Sequence, residues 1–228
     1  MRSRVSARPV RRHGRRFATR VGARGAGTRE RVLEVAIELF SKRGFDGVSI
    51  RDVAAVTGAK LPTIYYHFGD KRGLYLEACM QLFSTWGRRR EHYFVEGGLP
   101  EQRLFDYLLS LVESLKNDRT FAGLMQREIL ERDVKGIRRL TEAIFGRHFA
   151  EVAMMCEQIG SRGDPRLAAH TTYALVFGLA QLRPIARELH AAEELESSEA
   201  LVHHVLRLVL PAGRWSKVRA AANKDLMT

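Results

Sequence analysis

Apolar residues recur every three to four positions along most of this chain and never in strict alternation, a pattern that predicts helices and no strands. The first helix is expected from Thr28, a candidate N-cap with Glu30 in the first turn. Val32, Leu33, Ala36, Ile37 and Phe40 form its stripe, and Gly44 supplies the stop. Residues 49–68 then hold two short helical runs. Ile50, Val53 and Ala54 share one face, and Ile64 and Phe68 can close the second run over it. Between them Thr57-Gly58-Ala59 reads as a tight reversal, where a glycine free to take positive φ is favoured. Ser49 with Asp52 three residues on reads as a weaker form of capping box. Pro62 is tolerated in a first helical turn, and Asp70 caps a fourth helix through Leu74, Ala78, Leu82 and Trp86 toward Arg90.

After the break at Gly97-Gly98-Leu99-Pro100 the helical period continues. Leu104, Tyr107, Leu108, Leu111 and Leu115 mark one helix, 121–130 another and 137–159 a longer one, ended by a Gly- and Pro-containing stretch at 160–165. Helices over 166–190 and 197–210 follow, separated by the acidic run E-E-L-E-S-S, and no internal repeat is present. That last pair has wide apolar faces: Leu167, Thr171, Ala174, Leu175, Phe177, Gly178 and Leu182 on the first helix, and Leu201, Val202, Val205, Leu206, Leu208 and Val209 on the second. Such a hairpin has more apolar surface than one small domain hides. It predicts a homodimer in which two hairpins form a four-helix bundle.

The two short runs at 49–68 form a helix-turn-helix pattern, which points to double-stranded DNA as a partner. Their second helix exposes Lys60, Thr63, Tyr65, Tyr66 and His67, side chains suited to phosphates and base edges. Charge sharpens this. The 228 residues carry a formal net charge of +12, yet residues 1–31 alone hold eleven arginines against the single acid Glu30. Residues 214–228 hold four cations against one acid, so the body between is close to neutral. A basic arm beside a helix-turn-helix fits salt-dependent attraction to a DNA backbone or minor groove, and fits a solvated extension equally well. At 45% hydrophobic and 28% charged the chain reads as globular, and charged or polar residues interrupt every apolar stretch before the roughly 20 residues a membrane span needs. Cys79 and Cys156 are far apart and outside any C-x-x-C or C-x-x-H pattern. They read as small buried residues in a reducing compartment. The expectation is therefore a cytoplasmic protein with no membrane partner, metal or cofactor.

In order along the chain, Ala36 and Phe40 before Gly44-Phe45, Ser49-Ile50 before Val53-Ala54, Thr57-Gly58, and Ile64-Tyr65-Tyr66-His67-Phe68 before Asp70-Lys71 and Leu74 form an ordered set. By that set, the segment 28–78, roughly a quarter of the chain, resembles the TetR family of bacterial transcriptional regulators. The resemblance implies an all-α protein: an N-terminal three-helix helix-turn-helix DNA-binding domain and a C-terminal helical ligand-binding and dimerisation domain. Repression relieved by a small-molecule effector is the usual activity. Domains are then expected at 28–73 and 74–213, flanked by the basic arm 1–27 and the basic tail 214–228. Matched position by position, Ser49 and Arg51 would meet the DNA backbone. Lys60, Leu61, Pro62, Thr63, Tyr65, Tyr66 and His67 would form the groove-facing helix, and Lys71 would bind a phosphate. Ile64, Phe68 and Val53 would be core. Lys60 departs from the family's usual Ser or Thr cap, and Leu61 is apolar where the groove is faced, so both bear on which operator is read.

In the second region Phe83, Trp86, Tyr107, Phe121, Met125, Phe145, Phe149 and Met154 are candidates to line a ligand cavity, with Gln126, Arg127, Glu128 and His148 as polar specificity groups. The same residues at helical spacing also describe an ordinary core. Arg88, Arg89 and Arg90 read as cations complementing a helix C-terminus. A helical enzyme using Glu128, His148 or His203-His204 is the alternative. It lacks an H-E-x-x-H or E-x-x-H pair, a nucleophile elbow and a phosphate loop, so no catalytic activity is expected.

Overall fold

The computed structural model describes residues 27–95, 97–130, 134–161, 163–188 and 197–211. The basic tail, almost all of the basic arm and residues 189–196, which hold the acidic part of the run before the last helix, lie outside them. Among the described residues the regular structure is helical: α1 Thr28–Arg43, α2 Ile50–Thr57, α3 Leu61–Phe68, α4 Lys71–Arg88, α5 Pro100–Asn117, α6 Arg119–Leu130, α7 Val134–Leu140, α8 Gly146–Ile159, α9 Pro165–Glu188 and α10 Ser198–Val209. A 3₁₀ turn, Glu91–Phe94, follows α4, and a π-helical turn, Thr141–Phe145, splits what the periodicity reads as one helix over 137–159. There the Gly146 N–H reaches back to the Thr141 carbonyl.

Local chemistry sets the helix ends. Thr28 is the first residue of α1 and not its cap; Gly27 takes the cap position with no side-chain bond, because the helical turn starts one residue earlier than the hydroxyl suggested. Ser49 caps α2 through a complete capping box with Asp52. Gly58 ends α2 at φ 72°, in the left-handed region where a Cβ is strained, so the chain reverses there at little cost. Asp70 accepts the Gly73 N–H at 2.7 Å to cap α4.

One apolar cluster runs through the molecule. Val32, Leu33, Ala36 and Phe40 of α1 pack with Val53 of α2 and Ile64 and Phe68 of α3. Leu74, Tyr75 and Ala78 of α4 continue it, and Phe83 and Trp86 farther along α4 carry it into the C-terminal helices. There α8 packs on α9 and α5, and α10 packs on α5 and α9. Leu201, Val202, Val205 and Leu206 are buried by these neighbours within the chain. Leu167, Leu182, Ile185 and Leu208 stay exposed. The apolar faces of α9 and α10 are thus divided between the chain's own core and an open surface. The described residues contain no helix long and apolar enough to cross a membrane.

Candidate nucleic-acid interface and apolar cavity

The outer face of α3 follows from its 3.6-residue period. Ile64 and Phe68, four apart, point inward at 1% and 7% exposure, which turns Tyr65, Tyr66 and His67 outward. Tyr66 is 86% exposed, an unusual state for a large aromatic. Lys60 and Pro62 are exposed, while Leu61 and Thr63 are half-buried. Lys60 sits at the N-cap position with no side-chain cap bond, so a cation stands there in place of a capping hydroxyl. Ser49, Arg51, Tyr65 and Lys71 border one concavity of about 640 Å³, together with Asp46, Asp52 and Asp70. Two of those carboxylates hold helix ends. Asp52 accepts from the Ser49 N–H at 2.7 Å, and these bonds from Ser49 hold its carboxyl below the usual range. The Lys71 ammonium lies 4.3 Å from the centre of the Phe45 ring, a cation–π contact that fixes it at the start of α4. Arg29 pairs with Glu77 at 2.8 Å and covers the Phe68 ring, tying α1 to α3 and α4.

Among the C-terminal helices lies a cavity of about 590 Å³, part of whose α9 wall is exposed. Trp86 of α4, Tyr107 and Leu111 of α5 and Met125 of α6 form one side. Phe145, His148 and Phe149 around the start of α8, and His170, Tyr173, Ala174, Phe177, Gly178 and Gln181 of α9, form the rest. No Asp, Glu, Lys or Arg is among them; the ionisable side chains of the wall are two histidines, the exposed His170 and the buried His148. The His148 imidazole, 6% exposed, is pushed down to about 4, chiefly by burial and then by the Arg147 charge. Gly87 lets that ring approach α4: a Cβ there would fall 2.8 Å from His148 Nε2. The Tyr107 and Tyr173 hydroxyls meet at 2.8 Å, and burial holds both phenols protonated well above their ordinary range.

Of the cavity residues expected from sequence, Trp86, Tyr107, Met125, Phe145, His148 and Phe149 come together in this wall. Phe83 and Phe121 stand behind it, Phe121 stacked on Trp86 at 5.0 Å and Phe83 edge-on to Phe121 at 5.7 Å. Gln126 is exposed on α6, because the residue after Met125 is turned about 100° away from the cavity. Met154 is likewise exposed. Glu128 is buried against α4, where Tyr75 donates to it at 2.6 Å, and the Arg127 guanidinium lies against Gly44 at the end of α1. The α9 residues that line the cavity were read from sequence as a dimer face or not at all. Arg90, half-buried, donates to the Trp86 carbonyl at 3.0 Å and to the Ser110 carbonyl at 3.3 Å, and stacks on the Trp86 ring at 4.2 Å. It therefore closes the C-terminal end of α4. His203 packs on Phe105 at 4.8 Å, and the described residues hold no group of three or more His, Cys, Asp or Glu placed for a metal ion.

Residues 32–78 match the family profile described as bacterial regulatory proteins, tetR family. The HTH-type transcriptional repressor ComR of Escherichia coli (strain K12) is 30% identical over 96 residues, covering 42% of this chain and 46% of that protein. The sequence likeness spans less than half the length of the first curated relatives it matches. Among solved structures, a protein of Saccharomonospora viridis in complex with choline superimposes with a TM-score of 0.65 at 22% identity, over 80% of this chain and 97% of that one. SmeT, the repressor of the Stenotrophomonas maltophilia multidrug efflux pump SmeDEF, does so in its triclosan complex with a TM-score of 0.64 at 18% identity, over 83% and 94%. These likenesses establish the two-part helical fold.

Proposed function

We propose that this chain, whose N-terminal domain belongs to the TetR family, is a homodimeric repressor that binds a double-stranded DNA operator and is released by a small molecule. One observation carries the reading. The 18-residue helix α4 has Lys71 at the edge of the outward α3 face and Trp86 in the wall of the apolar cavity. These positions are about 22 Å apart along a helix, at about 1.5 Å per residue. A ligand that repositions Trp86 therefore acts on the element that carries Lys71. Helix α6 gives a second route, with Met125 in the cavity wall and Glu128 bonded to Tyr75 of α4.

In this reading Ser49 and Arg51 meet the DNA backbone, Lys71 meets a phosphate, and the α3 residues 60–67 face the major groove. The exposed Leu167, Leu182, Ile185 and Leu208 form the dimer surface with α9 and α10. A dimer sets the two α3 helices about 34 Å apart, one helical turn of DNA. A ligand coupling of about 1–3 kcal/mol changes DNA affinity about 5- to 150-fold. That ComR and SmeT are repressors, and that the two solved relatives hold choline and triclosan, supports the reading. Such a protein acts in the cytoplasm, where its DNA is, and needs no catalytic group or cofactor.

Selection of bound sequences from genomic fragments, followed by gel shift on the chain's own upstream DNA, is the test. The expected result is one preferred site with two half-sites. No preference over random DNA overturns the proposal. Removing residues 1–27 should flatten the dependence of affinity on salt, since their arginines displace counterions.

A further inference from the structure

We propose that the cavity takes an uncharged, planar aromatic molecule bearing one oxygen acceptor, laid against the Phe149, Tyr173 and Phe177 rings and hydrogen-bonded by the Tyr107–Tyr173 hydroxyl pair. The inference rests on reading the cavity as the effector site and adds the chemical class of the effector.

The absence of charge follows from the wall. No Asp, Glu, Lys or Arg lines the cavity. A charged ligand would give up water there with no carboxylate, ammonium or guanidinium facing it. A cage of aromatic rings can hold a cation without a carboxylate, but the charges just outside this one are adverse. Arg90 already occupies the face of Trp86, and Arg147 and Arg90 both disfavour a proton on His148. The nearby carboxylate of Glu91 is engaged by Arg147 at 3.0 Å. An anion fares no better, because Arg90 is outside the lining and its two terminal nitrogens already donate to the Trp86 and Ser110 carbonyls and the Ser114 hydroxyl.

Planarity follows from the rings. Phe149 and Tyr173 lie 21° apart at 6.0 Å, and Tyr173 and Phe177 lie 19° apart at 6.3 Å, so α8 and α9 present a series of nearly parallel rings. Tyr107 crosses Tyr173 at 86° and carries His148 stacked at 30°. A flat ligand parallel to the first series meets the second edge-to-face, and these are the two arrangements aromatic pairs favour. The volume, about 590 Å³, lies within the range of small-molecule sites, about 300–1,000 Å³.

The oxygen acceptor follows from counting hydrogens. Each phenol has one O–H, and the Tyr107–Tyr173 contact uses one of the two. Burial keeps both protonated, so the second O–H is left to donate. It stands at the corner where the two ring series meet. A phenol, ketone or aryl ether oxygen satisfies it.

The test is equilibrium dialysis of the full chain at pH 7 against 2-naphthol, naphthalene, 2-naphthoate and the 2-naphthyltrimethylammonium ion. The naphthol should bind at least tenfold more tightly than either charged probe. The double variant Tyr107→Phe/Tyr173→Phe removes both O–H groups and should weaken naphthol several-fold while leaving naphthalene unchanged, and the unchanged naphthalene binding keeps a folding defect from imitating the result. Equal or tighter binding of either ion overturns the proposal, as does equal loss of naphthol and naphthalene in the double variant, or no binding of any probe. Gel shift on the same preparation separates the two readings. Specific DNA binding without naphthyl binding removes the effector class alone, whereas naphthol binding without DNA recognition removes the repressor and leaves the ligand class.

Discussion

The outer face of α3 and the cavity between α5, α8 and α9 are both built on tyrosine, and they use it in opposite ways. Tyr65 and Tyr66 hold their rings over a small core and their hydroxyls in solvent, at 49% and 86% exposure. Tyr107 is 1% exposed, and its hydroxyl bonds to that of Tyr173. The first arrangement suits a polymer that brings its own phosphates and base edges to a surface. The second suits a molecule small enough to be enclosed, which must replace the contacts of a core. The difference teaches where specificity resides: outside, in polar groups left open, and inside, in the shape of an apolar space with few polar handles.

Two changes should move stability most, one on each side of that contrast. Ile64 is 1% exposed and holds α3 against α1 and α2, so Ile64→Ala should cost about 2–5 kcal/mol in urea unfolding. A loss under about 1 kcal/mol would mean the α3 face is not held by its core, and the outside would cease to depend on the inside. His148 gives the cavity's counterpart through pH. Its folded pKa, about 4, lies below the ordinary value near 6.5, so the unfolded chain takes up the proton first. The neutral ring's contribution is therefore fully present above about pH 6.5 and is lost as pH falls toward 4. The sum reaches about 3 kcal/mol at most. His148→Phe should remove that part of the slope, measured by denaturant midpoints between pH 7 and 4. An unchanged slope would place the imidazole in contact with water.

Function on the outer face should respond without stability. Tyr66→Ala removes a side chain 86% exposed, so folding should change by less than about 0.5 kcal/mol. Its loss from a DNA interface should weaken operator binding about 5- to 150-fold, or about 1–3 kcal/mol, read by gel shift or anisotropy. Unchanged affinity would make this exposed ring a bystander. The comparison would then rest on Tyr65 and Lys71.

How far each region was legible from sequence follows from the same contrast. Caps and turns act through neighbours in the chain, so Ser49 with Asp52, Gly58 and Asp70 could be read directly, and the 3.6 period turned Tyr65 to His67 outward once Ile64 and Phe68 were core. The cavity has no such local signal. Phe83, Trp86 and Phe121 share residue type and helical spacing, yet only Trp86 reaches the space, because the tertiary stacking of Phe121 on Trp86 decides which ring is in front. Tyr173 and Phe177 lie on a helix apolar on more than one side, where period alone cannot separate a face toward a void from a face toward a partner. Gln126 has the polarity of a specificity group, but its place beside Met125 in a helix sends it outward.

Ser49 joins both kinds of role in one residue, and a graded substitution separates them. Its hydroxyl accepts the Asp52 N–H at 3.2 Å while its N–H donates to the Asp52 carboxylate at 2.7 Å. Ser49→Ala should cost about 0.5–2 kcal/mol of stability, whereas glycine, itself tolerated as a cap, should cost only a few tenths. In both variants the Asp52 carboxyl loses the Ser49 side-chain bond, the largest of the causes holding it down, and should titrate closer to its ordinary range in an NMR pH series. Because the folded pKa is lowered, the stability it supplies is present above the ordinary carboxylate range and is lost as pH falls through the folded value. If Ser49 only caps α2, DNA affinity should follow stability, strongly reduced in alanine and nearly intact in glycine. If the hydroxyl also meets the DNA backbone, both variants should lose affinity alike, because neither has an oxygen to offer. Affinity unchanged in both would leave Arg51 as the contact at the start of α2 and confine the outer face to α3 and Lys71.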